Sequence, residues 1–198
     1  MHLKLSRFYT VLGFAAATLI TLHSATAATA LIVSVPDQQL ALIRDGLKVA
    51  TYPVSTSKFG IGDRPSSYST PLGAMEIARK IGQGAPAGAV FKNRQYTGEV
   101  LRPNVTGRDP IVTRILHLRG LESQNARAFD RGIYIHGTPE ERKIGRPASY
   151  GCIRMKSRDV IRVFDNVPVG TRVEVVNTSL GRALRSTAGD VRTVGHAS

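Results

Sequence analysis

From Leu31 the chain alternates apolar residues with others, at Leu31, Val33 and Val35, then, after a Pro36-Asp37 turn, at Leu40 and Leu42 up to Arg44. A period of two puts one face of a strand on a core, so two strands are predicted here. Asp45-Gly46, between Ile43 and Leu47, is the sequence of a tight hairpin whose two central residues need positive φ, and Leu47 to Ser55 is its returning strand. Gly73 to Ile81, Ile111 to Leu118 and Thr171 to Val176 are further strands. Gly132 to His136 is another, with Ile133 and Ile135 on one face and Tyr134 and His136 on the other. Leu121 to Asp130 carries Ala, Gln and Glu and predicts a short helix. Ser157 stands as a cap before Val160, Ile161, Val163, Phe164 and Val167, which keep a helical period until Pro168 and Gly170. Residues 57–71 and 82–110 are scattered with Gly and Pro and read as long loops, which in a compact domain are functional surfaces or covers. The segment from Asn177 has no usable periodicity. Many short strands and few helices predict a mainly β domain.

The N-terminus follows another pattern. Lys4 and Arg7 precede an uncharged apolar run from Phe8 to Leu22, then small residues and Ala25-Thr26-Ala27 ahead of Ala28. This is the layout of a secretory signal peptide; its apolar run is too short and too diluted by Thr and Ala for a membrane span of about 20 residues. The expected organisation is a signal peptide over residues 1–27, one domain over 28–176 and a flexible tail over 177–198. No stable membrane span is expected after cleavage.

Composition then narrows the partners. The 198 residues, 42% hydrophobic and 21% charged, suit one globular domain. Lys and Arg total 27 against 14 Asp and Glu, and the net charge of +13 stays near +11 once Lys4 and Arg7 are removed. An anionic partner fits such a chain: nucleic acid, anionic lipid or an anionic cell wall. The basic residues are scattered, aromatics are 6% and Trp is absent, which together with the export signal argues against nucleic acid.

A single cysteine cannot close an internal disulfide, so Cys152 is a buried small hydrophobe, an intermolecular link or a reactive thiol. It lies in Ser149-Tyr150-Gly151-Cys152-Ile153-Arg154, just upstream of the capped helix, while His136 ends a strand in Ile135-His136-Gly137-Thr138. A thiol needs a base or positive charge nearby to become a nucleophile at neutral pH. Gly151 lets backbone or substrate approach closely, and the amides of Gly151 and Cys152 can point at a developing oxyanion. Spacing alone leaves an inert buried Cys and a surface His equally open. No cluster has metal-ligand spacing, and no cofactor is called for. His117 reads as a packed polar residue, and Glu140, Glu141, Arg142, Lys143 and Arg146 as a solvated loop face.

The run from His136 to Met155 resembles the signature of the L,D-transpeptidase catalytic domain, the YkuD-like family: a His-Gly pair, a loop, then Ser-His-Gly-Cys, an apolar residue and Arg or Asn. Here these are His136-Gly137, Thr138 to Ala148, and Ser149-Tyr150-Gly151-Cys152-Ile153-Arg154-Met155. Tyr52-Pro53-Val54-Ser55-Thr56-Ser57, Ser69-Thr70-Pro71-Leu72-Gly73 and Val167-Pro168-Val169-Gly170-Thr171 resemble further blocks of the family, in its order. Two residues depart: Tyr150 stands where a second His is common, and Ser57 replaces a Gly.

The resemblance implies a β-sandwich of short mixed strands with one or two short helices. It implies acyl transfer by Cys152 activated by His136, the imidazole being oriented by a backbone carbonyl at Gly137. It also implies peptidoglycan tetrapeptide stems as donors, D-Ala as the leaving group, and an amine acceptor on another stem, a lipoprotein or another envelope protein, in the periplasm or cell envelope. Hydrolysis by the same pair, as a carboxypeptidase or endopeptidase, and a non-catalytic wall-binding module are the alternatives. Tyr134, Ser149, Tyr150 and Arg154 are candidates for substrate binding; Tyr134 can instead pack, and Arg154 can instead support the loop.

Overall fold

The computed structural model describes residues 28–186. The expected signal peptide, residues 1–27, lies outside them. Within them ten strands form one mixed sheet. At one edge β1 (Thr29–Ser34), β2 (Gln39–Arg44) and β3 (Leu47–Pro53) make an antiparallel meander. Its second turn is the Asp45-Gly46 pair, with φ of 51° and 76°, the doubly left-handed turn that matches strand twist. The order continues through β10 (Arg172–Val176), β4 (Gly73–Ile81) and β7 (Ile111–Gly120) to the hairpin β5 (Ala89–Lys92) and β6 (Gln95–Val100). Two further strands, β8 (Tyr134–Gly137) and β9 (Ile153–Met155), continue from β7 away from that path. The β1–β10 and β8–β9 pairs are parallel and the rest antiparallel. The mainly β expectation with short helices holds.

Strand alternation delivers Leu31, Leu40, Met75, Ile77, Leu116, Leu118, Ile135 and Ile153 to one core, against Val160, Val163 and Phe164 of helix α1 (Ser157–Asn166). Each such side chain contributes about 1.5–3 kcal/mol when fully buried. The opposite face of the meander, Ile32, Ala41 and Ile43, packs on Leu180 and Ala183.

That packing corrects the reading of residues 177–186 as tail. Residues 180–186 are helical, and Asp37 accepts a hydrogen bond from the Leu180 amide at 2.7 Å. Three other expectations change. Leu121 to Asp130 forms only a 3-10 turn, Ser123–Asn125, followed by turns. Here the buried Asn125 amide donates to Leu72 O and Ala74 O, and the Asp63 carboxylate takes the Arg127 amide. These long-range bonds outweigh propensities of a few tenths of a kcal/mol per residue. The 82–110 loop contains the β5–β6 hairpin, turned by Asn93 and Arg94 with φ of 52° and 67°. Ser157 is the first helical residue rather than the cap; its amide is held by Glu141 and its hydroxyl lies 2.8 Å from that of Thr113.

Candidate active site

Ile135 and Ile153 point into the core, so alternation turns Tyr134, His136, Cys152 and Arg154 to the other side of the β8–β9 pair. The parallel register sets His136 opposite Arg154 and Gly137 opposite Met155. One step earlier the chains bring Cys152 beside Tyr134: the Tyr134 amide meets the thiol, and the two side chains share a small cluster with Ile115 and Ala89. The Cys152 thiol donates to Gly132 O at 3.4 Å. It opens on a pocket of about 180 Å³ lined by Ser66, Tyr68, Arg131, Gly132 and Tyr150. A larger groove of about 460 Å³, near Ala30, Arg172 and Ala183, contains neither Cys nor His in its lining.

His136 is buried, and its Nδ1 lies 2.8 Å from Gly137 O. That carbonyl can only accept, so Nδ1 carries the proton and Nε2 keeps a lone pair. Gly137 is required by close approach: a Cβ there would stand 2.6 Å from Val112 O. The strand behind it is bulged, with Val112 opposite Gly137 and Ile115 opposite His136, and Thr113 between them takes φ of 73°. A β-branched residue in that region is strained, and here its hydroxyl is held by the Gly88 amide at 2.9 Å and by Ser157. Loss of hydration pushes the His136 pKa down to about 4, against the pull of Gly137 O and with help from the Arg154 charge. Packing around Cys152 likewise pushes its thiol up to about 11, although the residue keeps an exposed edge; the Tyr134 amide and the Arg131 and Arg154 charges work the other way. Near pH 7 the pair is therefore a neutral thiol and a neutral imidazole. No hydrogen bond joins them in this structure. Such a pair is suited to acyl transfer in which the base takes the proton as sulfur attacks.

The sequence profile of the L,D-transpeptidase catalytic domain (YkuD) matches residues 28–175. The chain belongs to that family. Among its curated relatives is YqjB of Bacillus subtilis strain 168, named for the L,D-transpeptidases, 30% identical over 147 residues, which are 74% of this chain and 70% of YqjB. The Escherichia coli K12 relative ErfK/SrfK is 51% identical over 43 residues, 22% of this chain and 14% of its own length. In structure the Ldtfm-avibactam carbamoyl enzyme shares the fold, with a TM-score of 0.50 at 17% identity, covering 79% of this chain and 52% of that chain. The chain thus spans about half of that structure and a small part of the E. coli relative.

Against the family signature, the other candidates divide. Arg154 is 2% exposed and pairs with Asp109 and Glu140, with its NH2 group 3.4 Å from Ser55 Oγ. Its backbone also bridges Ser55 in both directions at 2.9 Å. In this arrangement its guanidinium and backbone tie the loops around the site together. Replacing Arg154 with Met leaves Asp109 and Glu140 facing each other without their cation. The expected loss is about 2–4 kcal/mol, below the fully buried limit because both carboxylates are partly exposed, read from urea unfolding. Ser149 is buried too: its hydroxyl donates to Cys152 O at 2.6 Å and accepts the Gly151 amide at 3.2 Å, which fixes the turn before the thiol. Gly151 takes φ of 116°, where a side chain would be strained. Its amide is taken by Ser149, while the Cys152 amide has no partner among the described residues. Tyr134 is buried, its hydroxyl 3.3 Å from an Arg94 nitrogen. His117 packs, as expected, stacked on Phe129 at 4.0 Å with Nε2 on Phe129 O.

Tyr150 is exposed at the pocket mouth. Its hydroxyl meets Lys58 Nζ at 3.1 Å and makes no hydrogen bond to the thiol. Ser57, in place of Gly, pins the neighbouring loop by donating to Tyr68 O at 2.6 Å and taking the Phe59 amide at 2.9 Å. Sequence reasoning missed Gly132 O, Lys58, Tyr68 and the Asp63–Arg131 ion pair at 2.7 Å. Arg131 is also held by Gly62 O and Ser69 O. None of these has a local signature, since each joins segments far apart in the chain.

Proposed function

We propose that the chain is an exported L,D-transpeptidase that uses Cys152 as nucleophile and His136 as base. The observation that supports this best is the placement of the half-buried thiol and of an imidazole tautomer fixed by Gly137 O on one side of the β8–β9 pair. His136 Nε2 takes the thiol proton as sulfur bonds to the carbonyl carbon between an L-centre and the terminal D-Ala of a tetrapeptide stem. The free Cys152 amide stabilises the oxyanion. Collapse breaks the C–N bond, His136 returns the proton to the departing D-Ala amine, and a thioester remains. An acceptor amine then gives a proton to His136 and attacks the thioester carbonyl; the C–S bond breaks, and His136 returns the proton to the departing sulfur. The signal-like N-terminus and the basic charge fit work at an anionic wall outside the cytoplasm, and no described helix is long and apolar enough to cross a membrane.

The test is product mass after incubating the protein with a disaccharide-tetrapeptide and an amine acceptor. Loss of alanine with gain of the acceptor is the expected result. Tripeptide alone would make the enzyme a carboxypeptidase, and unchanged substrate would overturn the reading.

A further inference from the structure

The mouth of the Cys152 pocket is built from two segments that the fold lays side by side. Ser57 and Ser149 form a parallel bridge, and the Lys58 amide donates to Ser149 O at 3.1 Å. This brings Lys58 Nζ to 3.1 Å from Tyr150 Oη, 4.4 Å from the Tyr150 ring centroid and 5.2 Å from that of Phe59. Phe59, Tyr68 and Tyr150 touch one another, with centroids 5.8, 5.4 and 5.8 Å apart, and stay 49%, 54% and 59% exposed. Contiguous exposed aromatics beside a nucleophile mark a contact surface. The wall is also held at a cost: Ser66 and Tyr68 take φ of 56° and 53°, fixed by Ser57 Oγ on Tyr68 O and by Arg131 on Ser69 O at 2.8 Å. Strain of this kind persists where surrounding bonds over-determine it.

The charge of Arg131 is met by Asp63. Lys58 forms no ion pair among the described residues. The ammonium has three donors and gives one to Tyr150 Oη, which leaves the phenol proton and two ammonium protons directed elsewhere. Adjacent cationic and hydroxyl donors of this kind match the two oxygens of a carboxylate.

We infer that Lys58 and Tyr150 form a carboxylate seat at the mouth of the Cys152 pocket, with Tyr68 and Phe59 as an apolar wall for the aliphatic part of the same ligand. Resting on the proposed function, this makes the site selective for acyl donors with a free carboxylate near the scissile bond. Tyr150, which replaces the common His of the signature, supplies half of the seat. The carboxylate can be a side-chain group of the acyl-donating residue or the terminus of the departing D-Ala.

The test measures binding without turnover. Full-length Cys152→Ala protein is titrated calorimetrically with a tetrapeptide stem carrying both carboxylates, with its C-terminal amide and with its side-chain carboxamide. Amidation at one of the two positions is expected to weaken binding about tenfold, which names the carboxylate seated. Adding Lys58→Met or Tyr150→Phe removes that discrimination, and Lys58→Arg retains part of it. Equal affinity for all three peptides, or a Lys58→Met loss that is the same for all three, overturns the seat. Melting temperatures exclude misfolding as the cause. Because no turnover is involved, a protein that seats the carboxylate yet fails to transfer acyl groups would sink only the proposed reaction.

Discussion

Replacing Cys152 with alanine is expected to lower acyl transfer by at least about 10⁴-fold while the protein stays folded. Without sulfur no thioester forms, and the oxyanion donor and base that remain have no covalent intermediate to act on. The cost in stability is small by comparison. The thiol makes one long hydrogen bond, to Gly132 O at 3.4 Å, and the residue is only partly buried beside Tyr134 and Ile115. Trading it for a methyl group loses about 1 kcal/mol or less. Transfer is measured by product mass and stability by urea unfolding of the same preparation. A variant that transfers at the wild-type rate would remove Cys152 from the mechanism. One that fails to fold would show that the sulfur is a core group.

The strands were legible because their faces differ: Leu31, Val33, Leu40 and Leu42 reach one core while alternate residues do not. The Asp45-Gly46 turn was legible because its backbone requirement restricts the residues that suit it. The β5–β6 hairpin was not. Its turn uses Asn93 and Arg94 without glycine, and every residue of β6 is exposed, so neither a turn signal nor a buried face marks it. The helix at residues 180–186 is too short for Leu180, Ala183 and Leu184 to register as a period, and its partners Ile32 and Ala41 lie at the other end of the chain.

At the site the Cys–His pair stood out through the family signature, and the carbonyl that the imidazole meets was expected at Gly137. What surrounds the pair was not visible. Arg154 finds Asp109, Arg131 finds Asp63 and Lys58 finds Tyr150 only after the sheet has brought their loops together. A local pattern can suggest that Arg154 lies near a thiol, but only the fold reveals that its charge is already used.

Replacing His136 with alanine is expected to lower kcat/KM by about 10³-fold at pH 7, the range for a lost general base, while alkylation of Cys152 by iodoacetamide changes far less. The two readouts separate because the resting thiol is neutral. With the thiol pushed up to about 11, its thiolate fraction at pH 7 is small whether or not the imidazole is present, and labelling should climb about tenfold per pH unit from 7 to 10. Acyl transfer in the wild type does not follow that climb, since neutral His136 accepts the proton during attack; its acid limb falls only near pH 4, where the imidazole protonates. The same displacement governs stability. The unfolded chain binds a proton at this His below about pH 6.5, whereas the folded chain refuses it until about 4, so stability falls as pH drops through that window. His136 alone contributes a loss of about 3 kcal/mol there, and His136→Ala should flatten that part of the curve. Wild-type labelling that is fast and level from pH 6 to 9, then slowed at pH 7 by His136→Ala, would mean a preformed thiolate–imidazolium pair and overturn this account of activation.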